Sequence, residues 1–295
     1  MHSFFIGCGY VGSQVARREL AEGGAVGALV RRAGSAADLK ALGIEARNAD
    51  LDRLPPGSLP DFKGRVLYWF APPPAQGLVD TRLTAGLAAL HPGLEPDRIV
   101  LISTTGVYGD CDGEWVDESR PVNPKSDRGQ RRVDAEENLQ RWCDSRDVPS
   151  VILRVPGIYG PGKLPLERLR AGQPVLAPQA SPWSNRVHAH DLVEACLAAG
   201  RIDDPAPVYN ISDGNPSSMT EFFFEVADAL GLPRPPVVSR AEQEQALSAG
   251  MRSYLAESKR IDNSLMTTHL GVVPRYPDLA TGLAGLDRGA PRALG

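Results

Sequence analysis

Near the start of the chain, Gly7-Cys8-Gly9-Tyr10-Val11-Gly12 sets three glycines in Gly-x-Gly-x-x-Gly spacing. The apolar run Phe4-Phe5-Ile6 precedes it, and helix-forming residues follow from Ser13 to Ala21. A strand, a glycine turn and a helix in that order form an anion cradle, because the free N–H groups of the helix start face the ligand. Gly7 allows the tight turn, Gly9 lets a pyrophosphate approach the backbone, and Gly12 lets helix and strand pack closely. The next strand, Ala25 to Val30, ends on Arg31-Arg32 rather than on an Asp or Glu. A carboxylate there would bind a ribose 2′-hydroxyl, whereas guanidinium groups match the 2′-phosphate of NADP. The pair favours NADP over NAD; the plainer reading is a solvated basic pair opening a loop. Further along, Asp50, followed by Leu51, can either reach the adenine edge of a dinucleotide or cap the next turn.

These residues need a sheet to hold them. Arg65 to Pro74 reads as a buried strand closed by prolines, Thr81 to Leu90 as a helix, and Arg98 to Ser103 as another nearly continuous apolar strand. Such strands suit a parallel sheet covered on both faces. Alternating strands and helices predict an α/β, Rossmann-type doubly wound fold. Ligands in such folds lie outside the carboxyl ends of the strands, so the cleft is expected just after Ser103. From Lys163 the alternation ends. The chain is therefore divided into a nucleotide-binding domain, 1–162, and a smaller mixed lobe, 163–295, with a strand near 208–212 returning to the main sheet. Asp191 is expected to cap a helix over 192–199, and the tail from Arg288 to be disordered.

Composition narrows the class. The 295 residues carry a net charge of -4, which argues against non-specific nucleic-acid binding. No apolar run approaches the ~20 residues of a membrane span, and Met1-His2-Ser3 offers no basic leader. Cys8, Cys111, Cys143 and Cys196 lack metal-type spacing and read as free thiols, with no metal site and a cytoplasmic location expected.

The segments Ser103-Thr104-Thr105-Gly106-Val107-Tyr108-Gly109, Leu153 to Gly162 and Arg186-Val-His188-Ala-His-Asp191, taken with the glycine turn, resemble the extended short-chain dehydrogenase/reductase superfamily. The likeness is to its NAD(P)-dependent epimerase/dehydratase type. It looks most like the atypical, YeeZ-like subgroup, which shares the Gly-Cys-Gly-Tyr-Val-Gly turn, Ala71-Pro72-Pro73 and an Arg-x-His segment. The resemblance implies an oxidoreductase or epimerase acting on a small, anionic or sugar-like molecule, and a homodimer through the helix over 128–146. It places Ala71, Pro72, Pro73, Ser103 and Pro156 beside the cofactor, and Thr105, Tyr159, Arg186 and His188 beside the substrate. Thr104 stands at the family's catalytic Ser/Thr position. As a bare feature it is a turn residue, as Arg186 is a surface arginine and His188 a packed histidine.

The resemblance breaks at the chemistry. Where the family carries Tyr-x-x-x-Lys, this chain has Arg128 and Arg132. Arginine stays protonated, so Arg128 is a poor base but can stabilise negative charge, and Arg132 can anchor the cofactor. Tyr108 and Tyr159 are the nearest phenols that could replace the missing one. Alternatively Arg128, Arg132 and Glu136 stack at helical spacing as a salt-bridged solvent face. The loss of the Tyr and Lys also supports a different class, a non-catalytic NADP(H)-binding sensor.

Overall fold

Phe4, Phe5 and Ile6 point alternately to the two sides of a sheet, and both sides are apolar. In the computed structural model, which describes residues 2–284, they lie in the central strand β1, His2–Ile6. Phe4 and Ile6 face one core cluster and Phe5 the other. The remaining strands of this sheet are β2 (Ala25–Val30), β3 (Glu45–Asn48), β4 (Val66–Trp69), β5 (Arg98–Thr104), β6 (Ser150–Val155) and β7 (Val208–Asn210). Their spatial order is β7-β6-β5-β4-β1-β2-β3, and every neighbouring pair is parallel. Strand order reverses between β1 and β4, the crevice at which such sheets take ligands.

Helices α1 (Tyr10–Ala21), α2 (Ala33–Ala41) and α5 (Ala189–Arg201) cover one face, packing Val15, Leu39 and Leu192 with Phe5 and Tyr68. Helices α3 (Thr81–Ala88) and α4 (Asp127–Asp144) cover the other, with Leu83, Leu87, Ala135 and Leu139 against Trp69 and Leu101. Helix α6 (Met219–Ala229) leaves the sheet and builds a third cluster with Tyr159, Leu169 and Val175. Its start is held by Ser218 and Glu221, each side chain bonding the other's backbone N–H.

The segment after residue 163 also builds the main sheet and its cover, since β7 pairs with β6 and α5 packs beside α1. One expected cap is corrected. Helix α5 begins earlier, with His188 as N-cap, whose side chain accepts from His190 N at 3.2 Å. Asp191 lies inside the first turn, buried, and accepts from Arg275 N and Tyr276 N, both at 3.0 Å. A fixed buried carboxylate with two such donors is a tether for the C-terminal segment. The tail from Arg288 lies outside the described residues. No helix among those described is long and apolar enough to cross a membrane, and none of their His, Cys, Asp or Glu groups could hold a metal ion as a cluster of three.

Candidate active site

The three glycines of the turn meet different surroundings. Gly7 has φ +87, and a Cβ there would stand 2.6 Å from Ala71 N, so side chains are barred by backbone. A Cβ on Gly12 would lie 2.9 Å from Gly7 O. A Cβ on Gly9 would meet nothing within 4 Å, which leaves open room directly over the start of α1. That start has Gly9 as N-cap, no side-chain cap and no acid in its first turn. Free N–H groups and an unneutralised dipole fit a pyrophosphate. Val11 packs against the core; Tyr10 donates from its hydroxyl to Pro161 O at 2.9 Å. Cys8 is buried, and burial pushes its thiol up to about 12, so it serves packing rather than reactivity.

At the carboxyl end of β2, Arg31 and Arg32 are exposed and make no ion pair among the described residues. Asn48 Nδ2 fixes the local backbone by bonding Arg31 O at 2.6 Å. Two free guanidinium groups there fit a 2′-phosphate. Asp50 takes the capping role, accepting from Asp52 N at 3.1 Å, and Leu51 opens the short 3-10 turn that it caps.

A cavity of about 620 Å³ opens outside the carboxyl ends of β4, β5 and β6. Pro72, Pro73, Thr104, Thr105 and Pro156 line it, and Ala71, just before, packs on Gly7. Thr104 ends β5 and caps the next turn, its Oγ1 accepting from Gly106 N at 3.2 Å. Helix α4 then sits over this turn. Its N-cap Ser126 accepts from Gly129 N at 3.3 Å, and Gly129 itself comes so close that a Cβ would be 3.0 Å from Gly106 O. That approach carries Arg128 and Arg132 into the cavity wall, with Arg131 beside them.

The wall is strongly cationic. Arg128, Arg131, Arg132, Lys163, Arg186 and Lys259 line it, against one acid, Glu257, which pairs with Lys259 at 2.7 Å. Arg131 Nε and Arg132 Nη1 are buried with no hydrogen-bond partner among the described residues. Burial lowers the Arg132 pKa, with the Asp80 charge opposing it. Arg186 is 5% exposed and has no carboxylate within ion-pair distance among the described residues. It bonds Asn185 O at 2.8 Å and lies 4.3 Å from the Phe222 ring centroid. Desolvation pulls its pKa down to about 10. Its segment, Arg186–His188, pairs in parallel with Gly157–Tyr159.

Five expectations are corrected. Tyr108 is not in the cavity: its buried hydroxyl donates to Asn210 Oδ1 at 2.8 Å and accepts from Arg154 Nη1 at 3.0 Å. Tyr159 is fully buried among Leu169 and Phe223, and donates to Asp278 O at 3.1 Å. His188 caps α5 and packs on Tyr276, ring centroids 4.0 Å apart with the planes tilted by 44°, which is the packed-histidine reading. The solvent-face ladder of Arg128, Arg132 and Glu136 does not form. Glu136 turns inward, pairs with Arg154 at 2.7 Å and accepts from Ser103 Oγ, so the Ser103 hydroxyl is engaged there instead of facing a cofactor.

Sequence reasoning missed Arg131, Lys163, Trp183, Tyr254 and Lys259 in the wall. Arg131 adjoins Arg132 and was within reach of the helix argument. Tyr254 lies on the helix Ala249–Leu255, whose seven residues are too few to give a periodic signal, and it meets Arg128 only in space, at 3.9 Å from guanidinium carbon to ring centroid.

A seven-stranded parallel sheet with a glycine turn at its first strand and a cleft at the reversal point defines a Rossmann-type nucleotide-binding protein. Residues 7–212 match the NAD dependent epimerase/dehydratase family, and the chain belongs to that family. Protein YeeZ of Escherichia coli (strain K12) is 32% identical over 182 residues, covering 61% of this chain and 59% of YeeZ. The match thus spans well under two thirds of that relative's length. A dTDP-D-glucose 4,6-dehydratase of Mus musculus is 26% identical over 151 residues, 48% of this chain and 42% of its own. Among solved structures, a functionally unknown conserved protein from Silicibacter pomeroyi is similar at TM-score 0.77 and 28% identity, over 96% of both chains. MoeE5, in complex with UDP-glucose and NAD, shares the fold at TM-score 0.74 and 24% identity, over 96% of both chains.

Proposed function

We propose that this chain is an NADP-dependent oxidoreductase or epimerase acting on a small anionic substrate. The observation that carries this reading is the cavity wall, where six bases face one acid that is already paired. The open face of Gly9 and the start of α1 hold the pyrophosphate, and Arg31 and Arg32 take the 2′-phosphate. When bound, the nicotinamide supplies the two-electron chemistry. The Thr104 hydroxyl holds the reacting oxygen, and Arg128 stabilises negative charge on it. Arg132, with an unpartnered buried nitrogen, anchors the ribose side. The names of MoeE5's ligand and of the dehydratase support a sugar-like substrate; the anionic part rests on this chain's own residues.

One observation favours a second reading, a non-catalytic NADP(H) sensor: both positions on α4 are arginine, and arginine exchanges no proton at working pH. Two measurements separate these. NADPH and NADH titrations against Arg31→Ala/Arg32→Ala should show NADPH weakened tenfold or more and NADH unchanged. Single-turnover oxidation of bound NADPH by metabolite fractions should disappear in Thr104→Val. Tight NADPH binding with no oxidation in any fraction would give the sensor instead.

A further inference from the structure

Hydride chemistry at a carbonyl or an alcohol also moves a proton, and a wall group must give or take it. Most of this wall does neither. Arg128, Arg131, Arg132 and Arg186 keep their protons at working pH. Lys259 is engaged with Gly109 O and with Glu257, the wall's one acid. Lys163 lies over the Tyr10 ring, 4.8 Å from its centroid, at the start of α1 and so beside the pyrophosphate.

The phenols narrow the choice. Of the seven tyrosines in the chain, Tyr10, Tyr68, Tyr108, Tyr159 and Tyr209 have their hydroxyls bonded to other groups. Tyr276 packs on His188 outside the wall. Among the described residues Tyr254 alone lines the cavity, 56% exposed and with an unbonded hydroxyl. A phenol is a far stronger acid than an aliphatic hydroxyl such as that of Thr104.

Local structure holds this ring in place. The helix Ala249–Leu255 starts on Ser248, whose hydroxyl accepts from Met251 N at 3.3 Å. Its inner face packs Leu255 and Met251 on Leu176 and Leu247. Met251 and Tyr254, three residues apart on neighbouring turns, both line the cavity. The Arg128 guanidinium lies against the Tyr254 ring, 3.9 Å from its centroid, and leaves the hydroxyl edge free. Arg128 precedes Gly129, which packs on the turn that Thr104 caps. The phenol thus stands on the Thr104 side of the cavity, with a cation against its face.

We propose that Tyr254 is the acid–base residue of this site, brought by the helix Ala249–Leu255 rather than by α4. The proposal rests on the reading of the cavity as an NADP-dependent reaction site. As the carbonyl carbon of a bound substrate gains the hydride that the cofactor supplies, its π electrons move to oxygen. The Tyr254 Oη–H bond breaks and that oxygen takes the proton. An alcohol and a phenolate result, and water returns a proton to the phenolate. In the reverse direction the phenolate takes the proton of the alcohol. The Arg128 guanidinium stabilises the charge that the phenol acquires in between.

The test compares wild type with Tyr254→Phe, which keeps the ring on Arg128 and removes only the hydroxyl. NADPH affinity and the thermal midpoint are measured on both, then single-turnover NADPH oxidation by the metabolite fraction most active with wild type. Affinity and midpoint should be unchanged and oxidation slowed about a hundredfold or more, the share that a general acid supplies. A second readout needs no turnover. Tetranitromethane nitrates exposed phenols, and in the NADP+ complex the active fraction should protect Tyr254 roughly threefold relative to an inactive fraction, read by peptide mass. Oxidation by Tyr254→Phe within about threefold of wild type would overturn the proposal and leave the enzyme standing. Nitration of Tyr254 that is indifferent to the active fraction would do the same. Parallel losses of NADPH affinity and midpoint in Tyr254→Phe would also overturn it, by making the phenol structural. Absence of NADPH oxidation by wild type in every fraction would remove the enzymatic reading itself, and the proposal with it.

Discussion

Replacing Arg154 by Met tests how the floor of the site is held. The Arg154 guanidinium meets Glu136 Oε2 at 2.7 Å and Tyr108 Oη at 3.0 Å, and Glu136 also accepts from Ser103. All four groups are buried. Tyr108 continues the chain to Asn210, whose amide donates to Val116 O at 3.3 Å and Asp262 O at 3.2 Å. The network thus ties β5, α4, β6 and β7 to the paired short strands Trp115–Val116 and Arg260–Ile261. Removing one member of a buried pair leaves an uncompensated charge and costs about 3–5 kcal/mol. Removing both with Glu136→Leu/Arg154→Met should cost only about 1–2 kcal/mol, since what remains is the hydroxyls of Ser103 and Tyr108 with a lost partner each. Urea unfolding followed by circular dichroism measures both, with the slope checked for constancy. A single variant within about 1 kcal/mol of wild type, or a double variant no better than the single, would refute the argument. In either case the charge would not be desolvated as the geometry states.

Two further outcomes follow from local geometry. Gly7→Ala should unfold or strongly destabilise the protein, because its φ of +87 disfavours a side chain and the new Cβ meets Ala71 backbone at 2.6 Å; Gly9→Ala should keep wild-type thermal stability yet weaken NADPH binding, since its Cβ enters only open room. The buried Asp213 carboxyl is pushed up to about 7, chiefly by desolvation, while its neighbours Arg186, Asp191 and Asp278 act in opposing senses. The folded state therefore holds a proton that the unfolded chain, with an ordinary carboxyl near ~4, has lost. Between those values stability falls as pH rises, by an amount on the order of 4 kcal/mol. Asp213→Asn should match wild type near pH 4 and exceed it above pH 7 in chemical denaturation, and equal pH slopes for the two would contradict this burial cost.

The sequence by itself determined the sheet and its cofactor end. Strands rich in Phe, Val, Ile and Leu, separated by helical spacing, force a parallel sheet covered on both faces, and β2 and the position of β7 were legible from that pattern. Gly7, Gly9 and Gly12 are legible from their spacing between an apolar strand and a helix, although the backbone that bars a side chain at Gly7 comes from Ala71 on another segment. Tertiary structure alone decided which polar side chains reach the cavity. Glu136 shares a helix face with Arg132, yet it turns to Arg154, a partner 18 residues away on β6. Tyr108 and Tyr159 stand near motif residues but bury their hydroxyls on Asn210 and Asp278 O. Tyr254 and Lys259 join the wall from a segment more than a hundred residues beyond Arg128. Periodicity records which face of an element is apolar. It carries no information about which charged group pairs with which, because that choice is made by desolvation and by contacts that form only when distant segments pack.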